Sequence, residues 1–207
     1  MLLRQQLRDI IKAGLDVTVV SSPGPVLDEI SASLGVRCYP IPMMRSPHPV
    51  RDLTSLNRLI RFLRVEQFDI VHSSTPKAGL LAALAGSLVR VPVRIHTFTG
   101  QPWVERSGIV RWAARESDRL IARLDTHTYA DSDSQRNFLI AEGLVKANKI
   151  SVLGAGSISG VDLQRFELVS KPAKREAIRK QLNIPETSLV TLLILWDELS
   201  RPRESVG

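Results

Sequence analysis

The residues best able to do chemistry gather in short segments. HTFTGQPW (His96–Trp103) offers an imidazole, two hydroxyls, a glycine that permits close approach, an amide and a tryptophan face able to stack on a sugar ring. The same composition also suits an ordinary strand-to-helix loop with Trp103 packed inward. GAGSISG (Gly154–Gly160) could turn backbone N–H groups toward a phosphate. Its spacing is G-x-G-x-x-x-G, no amphipathic helix begins within it, and it comes late in the chain. It therefore reads as a flexible loop and not as a dinucleotide fingerprint. Asp131-Ser132-Asp133 is a carboxylate pair with D-x-D spacing. Ser132 to Gln135 is also an S-x-x-Q capping box, and Asp133 suits the positive first turn of a helix. Hard cations need more oxygens than this pair supplies, so no metal is expected here. His72, His96 and His127 fall in or beside strands. They could hold zinc only if they faced one another; hydrogen-bonded histidines at strand ends are the default. Arg111, Arg115, Arg119 and Arg123 recur every four residues, either as a solvated face or as a patch for anionic lipid or phosphate. There is no nucleophile elbow, P-loop or zinc-protease motif.

These segments are punctuated by alternating helix and strand signals. Helical spacing runs from Leu2 to Ala13 and stops at Gly14. Further helices are expected over Val26–Leu34, Leu53–Glu66, Pro76 to about Arg90, Gly108–Leu124, the span opened by Ser132, and Ala173–Leu182. Strands are expected at Asp16–Ser21, Val36–Tyr39, Asp69–His72, Val93–Phe98, Thr126–Ala130, Lys149–Leu153 and Leu189–Trp196. On the helix over Gly108–Leu124, Ile109, Ala113, Leu120 and Leu124 are expected to face the sheet. The alternation predicts an α/β fold with a mostly parallel sheet covered on both faces. Ligands of such sheets bind beyond the carboxyl ends of the strands, which selects Ser73–Lys77, Phe98–Arg106, Asp131–Asp133 and Gly154–Gly160.

At 207 residues, 43% hydrophobic and 24% charged, the chain has globular composition and room for one domain with part of another. With aromatics at 5%, aliphatic side chains must fill the core. Its one cysteine, Cys38, cannot form an internal disulfide and fits a reducing compartment. No apolar run is long enough for a signal peptide or a membrane span, so a cytoplasmic location is expected. The net charge of +7 favours an anionic partner. Basic runs interleaved with aromatics are absent, so nucleic acid is not expected to be that partner.

FDIVHSSTPKAGLLAALAGSLVRVPVRIHTFTGQPW (Phe68–Trp103), YADSDSQRNFLIAEG (Tyr129–Gly143) and KISVLGAGSISGVDLQRF (Lys149–Phe166) together resemble the N-terminal domain of retaining family-4 glycosyltransferases of the GT-B fold. The likeness runs over about residues 2–195 and is closest to members that build capsule, O-antigen or exopolysaccharide. It implies a Rossmann-like, doubly wound acceptor-side domain over 1–166. Residues 167–207 would then be a linker helix and the first strand of a donor-binding domain. It further implies that Ser74, Thr75, Lys77, His96, Thr99, Gly100 and Gln101 line the acceptor side, with Gly156, Ser157, Gly160 and Asp162 in the interdomain loop. Many relatives carry His-Gly where Thr99-Gly100 stands here. The implied partners are a glycan or polyprenyl-linked glycan acceptor and an anionic membrane surface, to which a cytoplasmic enzyme would be peripheral through the arginine row. The donor would be a nucleotide sugar bound by the other domain, with no cofactor. The Gly-Arg loop and E-x7-E pair of that domain do not occur in these residues. The expected product is therefore a half-enzyme, inactive alone. A subunit or remnant that binds acceptor and needs a separate donor domain is the alternative, and a generic phosphate- or nucleotide-binding module the weaker one. Relatives also begin with a strand before the first helix. In strand order 3-2-1-4-5-6 that strand lies between the second and fourth. Asp16–Ser21 and Asp69–His72 should then show unpaired inner edges, unless Leu189–Trp196 fills the place.

Overall fold

The computed structural model describes residues 4–44, 46, 48–157 and 171–189. The chain divides into two compact units, Met1–Gly160 and Val161–Gly207.

In the first unit, helices and strands alternate as α1 (Arg4–Lys12), β1 (Thr18–Ser21), α2 (Pro25–Leu34), β2 (Arg37–Pro40), α3 (Pro49–Glu66), β3 (Ile70–Ser73), α4 (Pro76–Val89), β4 (Val93–Phe98), α5 (Gly108–Leu124), β5 (His127–Ala130), α6 (Asp133–Ala141) and β6 (Ile150–Val152). A proline sits in the first turn of α2, α3 and α4, where its fixed φ suits the helix and its missing N–H costs nothing. The second unit contributes α7 (Lys171–Gln181), with Arg179 donating to the carbonyls of Pro185, Glu186 and Ser188 beyond it.

All pairings are parallel, in two sheets: β1–β2 and β3–β4–β5–β6. Among the described residues no strand lies between β1 and β3 and neither inner edge is paired, while the strand that could fill the place, Leu189–Trp196, lies outside the described residues after Leu189. Apolar packing still joins the two sheets. Val20 of β1 and Val71 of β3 pack against one cluster of Ile41, Leu59, Leu63, Leu81, Ala85 and Val91, under α3 and α4. A second cluster, including Phe98, Trp103, Ala122, Ala130, Leu139 and Ile150, lies under α5 and α6.

Two sequence expectations need correction. Helix α3 begins at Pro49, not Leu53. The His48 ring accepts the Arg51 N–H at 3.4 Å and the Asp52 carboxylate accepts the His48 N–H at 2.9 Å, a reciprocal cap that starts the helix early. Helix α5 has its expected ends but a different facing. Its buried residues are Asp118, Ile121 and Ala122, while Ile109 is 80% exposed and Leu120 and Ala113 also face outward. The strand expected over Leu189–Trp196 falls outside the described residues after Leu189.

Candidate functional site

The carboxyl ends of β3 to β6 bring the selected loops side by side. Register places Ser73 beside His96, Thr97 beside Tyr129, and Ala130 beside Val152. Alternation along the strands then puts His72, Thr97, His127 and Tyr129 on one sheet face and Ser73, His96, Phe98 and Thr128 on the other.

His96 is 2% exposed, and its Nδ1 lies 2.8 Å from the Ser73 hydroxyl. Burial, with the neighbouring His72 second, pushes its pKa down to about 4, so the ring is neutral. Helix α4 can approach this ring only because residue 79 is glycine. A Cβ there would stand 2.5 Å from the His96 Cε1. His96 thus supports the strand end from the core and does not line an open acceptor surface. On the opposite face, His72 pairs with the Thr97 hydroxyl at 2.8 Å and His127 with the Ser151 hydroxyl at 2.7 Å. Burial also lowers the His72 pKa. The three histidines therefore do not converge on one point.

The loop after β4 is fixed at both ends. Thr99 donates to the Ser74 carbonyl at 3.2 Å, and Gly100 has a φ of 133° that a side chain would strain. Trp103 is 1% exposed and its Nε1 donates to Asp118 at 2.6 Å, while Arg111 and Arg115 lie over its ring. Its face is occupied, so the packed alternative holds over sugar stacking. Burial raises the Asp118 pKa to about 6, against the lowering effect of the indole hydrogen bond.

Of the other residues implied by resemblance, Ser74 is half-buried and Thr75 is the exposed N-cap of α4. Lys77 reaches away from the strand ends, pairing with Asp52 at 2.6 Å and donating to the Ser46 carbonyl at 2.7 Å. Gly156 and Ser157 close on β5. The Ser157 N–H donates to the Asp131 carbonyl at 2.7 Å, and a Cβ on Gly156 would sit 2.4 Å from that oxygen. Gly160 and Asp162 lie outside the described residues.

The arginine row is not a free cationic face. Arg115 donates to the Glu142 carbonyl and carboxylate at 2.6 and 3.2 Å, and Arg119 pairs with Glu116. Only Arg111 and Arg123 stay exposed without an ion pair among the described residues.

Sequence reasoning missed how Asp131, Gln135 and Gln101 connect. Ser132 caps α6 by accepting the Gln135 N–H at 3.2 Å, as the capping box predicts. The Gln135 side chain, however, reaches past Ser132 and accepts the Asp131 N–H at 2.7 Å. Its Nε2 then meets the Gln101 Oε1 at 3.5 Å. A cleft of about 20 Å³ opens beside this cluster, lined by Gln6, Thr97, Tyr129, Ala130, Asp131, Leu153 and Ser157. That is room for one water-sized group. Burial raises the Asp131 pKa. A larger cavity of about 390 Å³, between Leu63–Asp69 and Leu88–Pro92, lies at the amino ends of β3 and β4, away from these loops.

The sequence of residues 3–156 matches the model of the Glycosyl transferase 4-like domain. A capsular polysaccharide biosynthesis glycosyltransferase, CapM of Staphylococcus aureus, is 32% identical over 88% of this chain and 47% of its own length. The UDP-Gal:alpha-D-GlcNAc-diphosphoundecaprenol alpha-1,3-galactosyltransferase of Escherichia coli is 28% identical over 87% of this chain and 46% of its own. The chain thus spans about half the length of these relatives. Among solved structures, Anabaena Alr3699/HepE in complex with UDP and glucose superposes with a TM-score of 0.65 at 17% identity, over 87% of this chain and 46% of that one. That likeness extends the Rossmann-like reading to the GT-B fold. Because the matched domain takes in β1 through β6 and the loops that connect them, this chain belongs to the glycosyl transferase 4-like family.

Proposed function

We propose that these residues form the acceptor-binding side of a retaining glycosyltransferase. The enzyme moves a sugar from a nucleotide sugar to a glycan or lipid-linked glycan of the capsule, O-antigen or exopolysaccharide type. The observation that carries the reading is the small cleft at the carboxyl ends of β4 to β6, where parallel α/β sheets take their ligands. The relatives' names, one of a capsular enzyme and one of an enzyme acting on a diphosphoundecaprenol-linked sugar, support the acceptor class. Stabilising the departing nucleoside diphosphate is a large part of such catalysis, and the groups for it belong to a donor-binding domain outside these residues. The 207-residue chain is accordingly expected to bind a short-chain lipid diphosphate-linked N-acetylglucosamine and to transfer no sugar from UDP-galactose or UDP-glucose. Turnover by the purified chain in a radiolabel assay would overturn the half-enzyme reading.

We also propose a peripheral, cytoplasmic location, resting on a different surface from the full arginine row. Around the start of α5, Val104, Ile109, Val110 and Trp112 are exposed beside Arg106 and Arg111. Apolar and cationic side chains together suit an anionic bilayer, each basic residue contributing about 1 kcal/mol near the surface. Sedimentation with phosphatidylglycerol vesicles is expected to fall for an Arg111→Gln/Trp112→Ser variant and with rising salt, while Arg119→Gln leaves it unchanged. Equal sedimentation of all three proteins would remove this surface from consideration.

A further inference from the structure

Helix α5 is seated in the core by acids as much as by apolar side chains. Its buried residues are Asp118, Ile121 and Ala122, and Asp125 follows directly on its last turn. Asp118 and Asp125 are each 3% exposed. Two helical turns separate them, so they lie on the same side of α5. Along the first half of the helix, by contrast, Ile109, Val110 and Trp112 are exposed.

A buried carboxylate needs donors if it is to keep its charge. Among the described residues Asp118 has one, the Trp103 indole N–H. The Asp125 Oδ2 is shielded from solvent and has none among them. Two cations act on Asp125, Arg94 of β4 and Lys149 just before β6, yet both direct N–H groups elsewhere. The Lys149 ammonium donates to the carbonyls of Ala122, Arg123 and Asp125 at 2.9, 3.3 and 2.7 Å. The Arg94 Nε donates to the Leu124 carbonyl at 3.0 Å. The carboxyl end of α5 is thereby pinned, while the acids on its inner side are left short of donors. Burial, opposed by Arg94 and Lys149, raises the Asp125 pKa to about 7, beside about 6 for Asp118. The other ionisable groups around this seam do not relieve it. The His96 ring, which shares the space over Gly79 with Ile121, is neutral. Arg111 and Arg115 lie over the Trp103 ring, Arg115 is paired with Glu142, and Lys146 acts on Lys149.

We propose that α5 is a proton-linked latch on the loop after β4, seated while Asp118 and Asp125 are protonated and swinging out about its pinned carboxyl end when they ionise. Lifting α5 withdraws Asp118 from the Trp103 N–H, and the loop from Thr99 to Ser107 loses its anchor. The exposed residues at the start of α5 move with the helix. The sign follows from the raised values. The seated helix holds both protons more tightly than the opened one, so seating is complete below about pH 4 and weakens as pH rises through about 6 and about 7. The latch goes beyond the acceptor reading and does not rest on it, because no sugar takes part.

The test is amide hydrogen exchange of the 207-residue chain from pH 5 to pH 8, corrected for the intrinsic base-catalysed rate. Protection over α5 and the Thr99–Ser107 loop should fall by about tenfold for Asp118 and by more for Asp125, while α4 stays protected. Asparagine matches aspartate in size and cannot ionise. Asp118→Asn and Asp125→Asn should each remove part of the pH dependence, and the double variant should show none. The readout is a slope with pH, so a constant loss of stability in a variant does not mimic it. An equal loss of protection in α4, α5 and the four-stranded sheet would mean that the whole domain opens, and there is no latch. A wild type without pH dependence, or a double variant that keeps it, would also overturn the proposal.

Discussion

From β3 to β6 each neighbouring pair is tied by a parallel ladder, whereas between β1 and β3 only side chains meet among the described residues. Ladder hydrogen bonds fix register, and a slip of one residue would send every side chain to the wrong face. Apolar contact is not directional, so it holds β1 and β2 near the rest without fixing them residue against residue. The small cleft with its hydrogen-bonded loops lies on the laddered side. Recognition that depends on a few ångströms is built where backbone pairing sets position, and the looser side carries none of the candidate contacts except Gln6.

The contrast can be broken most severely in the two cores. Leu63→Ala, in the cluster that bridges the sheets, and Leu139→Ala, in the cluster under α5 and α6, should each cost about 2–5 kcal/mol. Their signatures should differ. Hydrogen exchange is expected to show β1 and β2 opening first in Leu63→Ala, with β4 and β5 still protected, while Leu139→Ala lowers protection across the four-stranded sheet. Matching exchange patterns would mean that the two sheets unfold as one.

A smaller effect should come from Asp118, which anchors the loop after β4. Its folded pKa of about 6 lies above the ordinary 3.8, so the folded state holds its proton more tightly than the unfolded chain does. Its contribution to stability is complete below about pH 4, falls as pH rises, and is lost above about pH 6. The span is about 3 kcal/mol. Asp118→Asn keeps an acceptor for the Trp103 N–H and cannot ionise. The melting temperature of wild type minus that of the variant should therefore drop between pH 4 and pH 7. A flat difference would show that Asp118 is not desolvated.

The smallest effect is expected at Arg119. It is partly exposed and pairs with Glu116 one turn earlier on the same helix. Arg119→Gln should cost no more than about 0.5 kcal/mol in a urea titration. A larger loss would mean that the outer face of α5 is as tightly built as its inner one.

How far the sequence could be read follows from the same division. Strand β4 and both ends of α5 were readable because their signals are local: a β-branched run, a glycine, an apolar period. The parallel order β3-β4-β5-β6 followed from the family likeness together with the rule for doubly wound sheets. The facing of α5 was misjudged because its buried row is Asp118, Ile121 and Ala122, in which a carboxylate occupies a core position. Among the described residues only the Trp103 N–H, fifteen residues away, donates to that carboxylate. The early start of α3 was hidden by a histidine acting as a cap. The Gln101–Gln135–Asp131 chain had no sequence signal, since side-chain bonds across 34 residues leave no period or spacing behind.

The close seat of Gly79 against His96 also bears on how these two positions can drift. An alanine at 79 would collide with the imidazole, while a smaller residue at 96 would leave a hole in front of a glycine. Taken singly, each change should be harmful. Taken together, the added methyl group would occupy space given up by the ring, so the pair should cost less than the sum of its parts. The order of substitution then matters. A lineage that first shortens residue 96 makes Gly79→Ala acceptable, whereas one that begins at residue 79 meets the collision first.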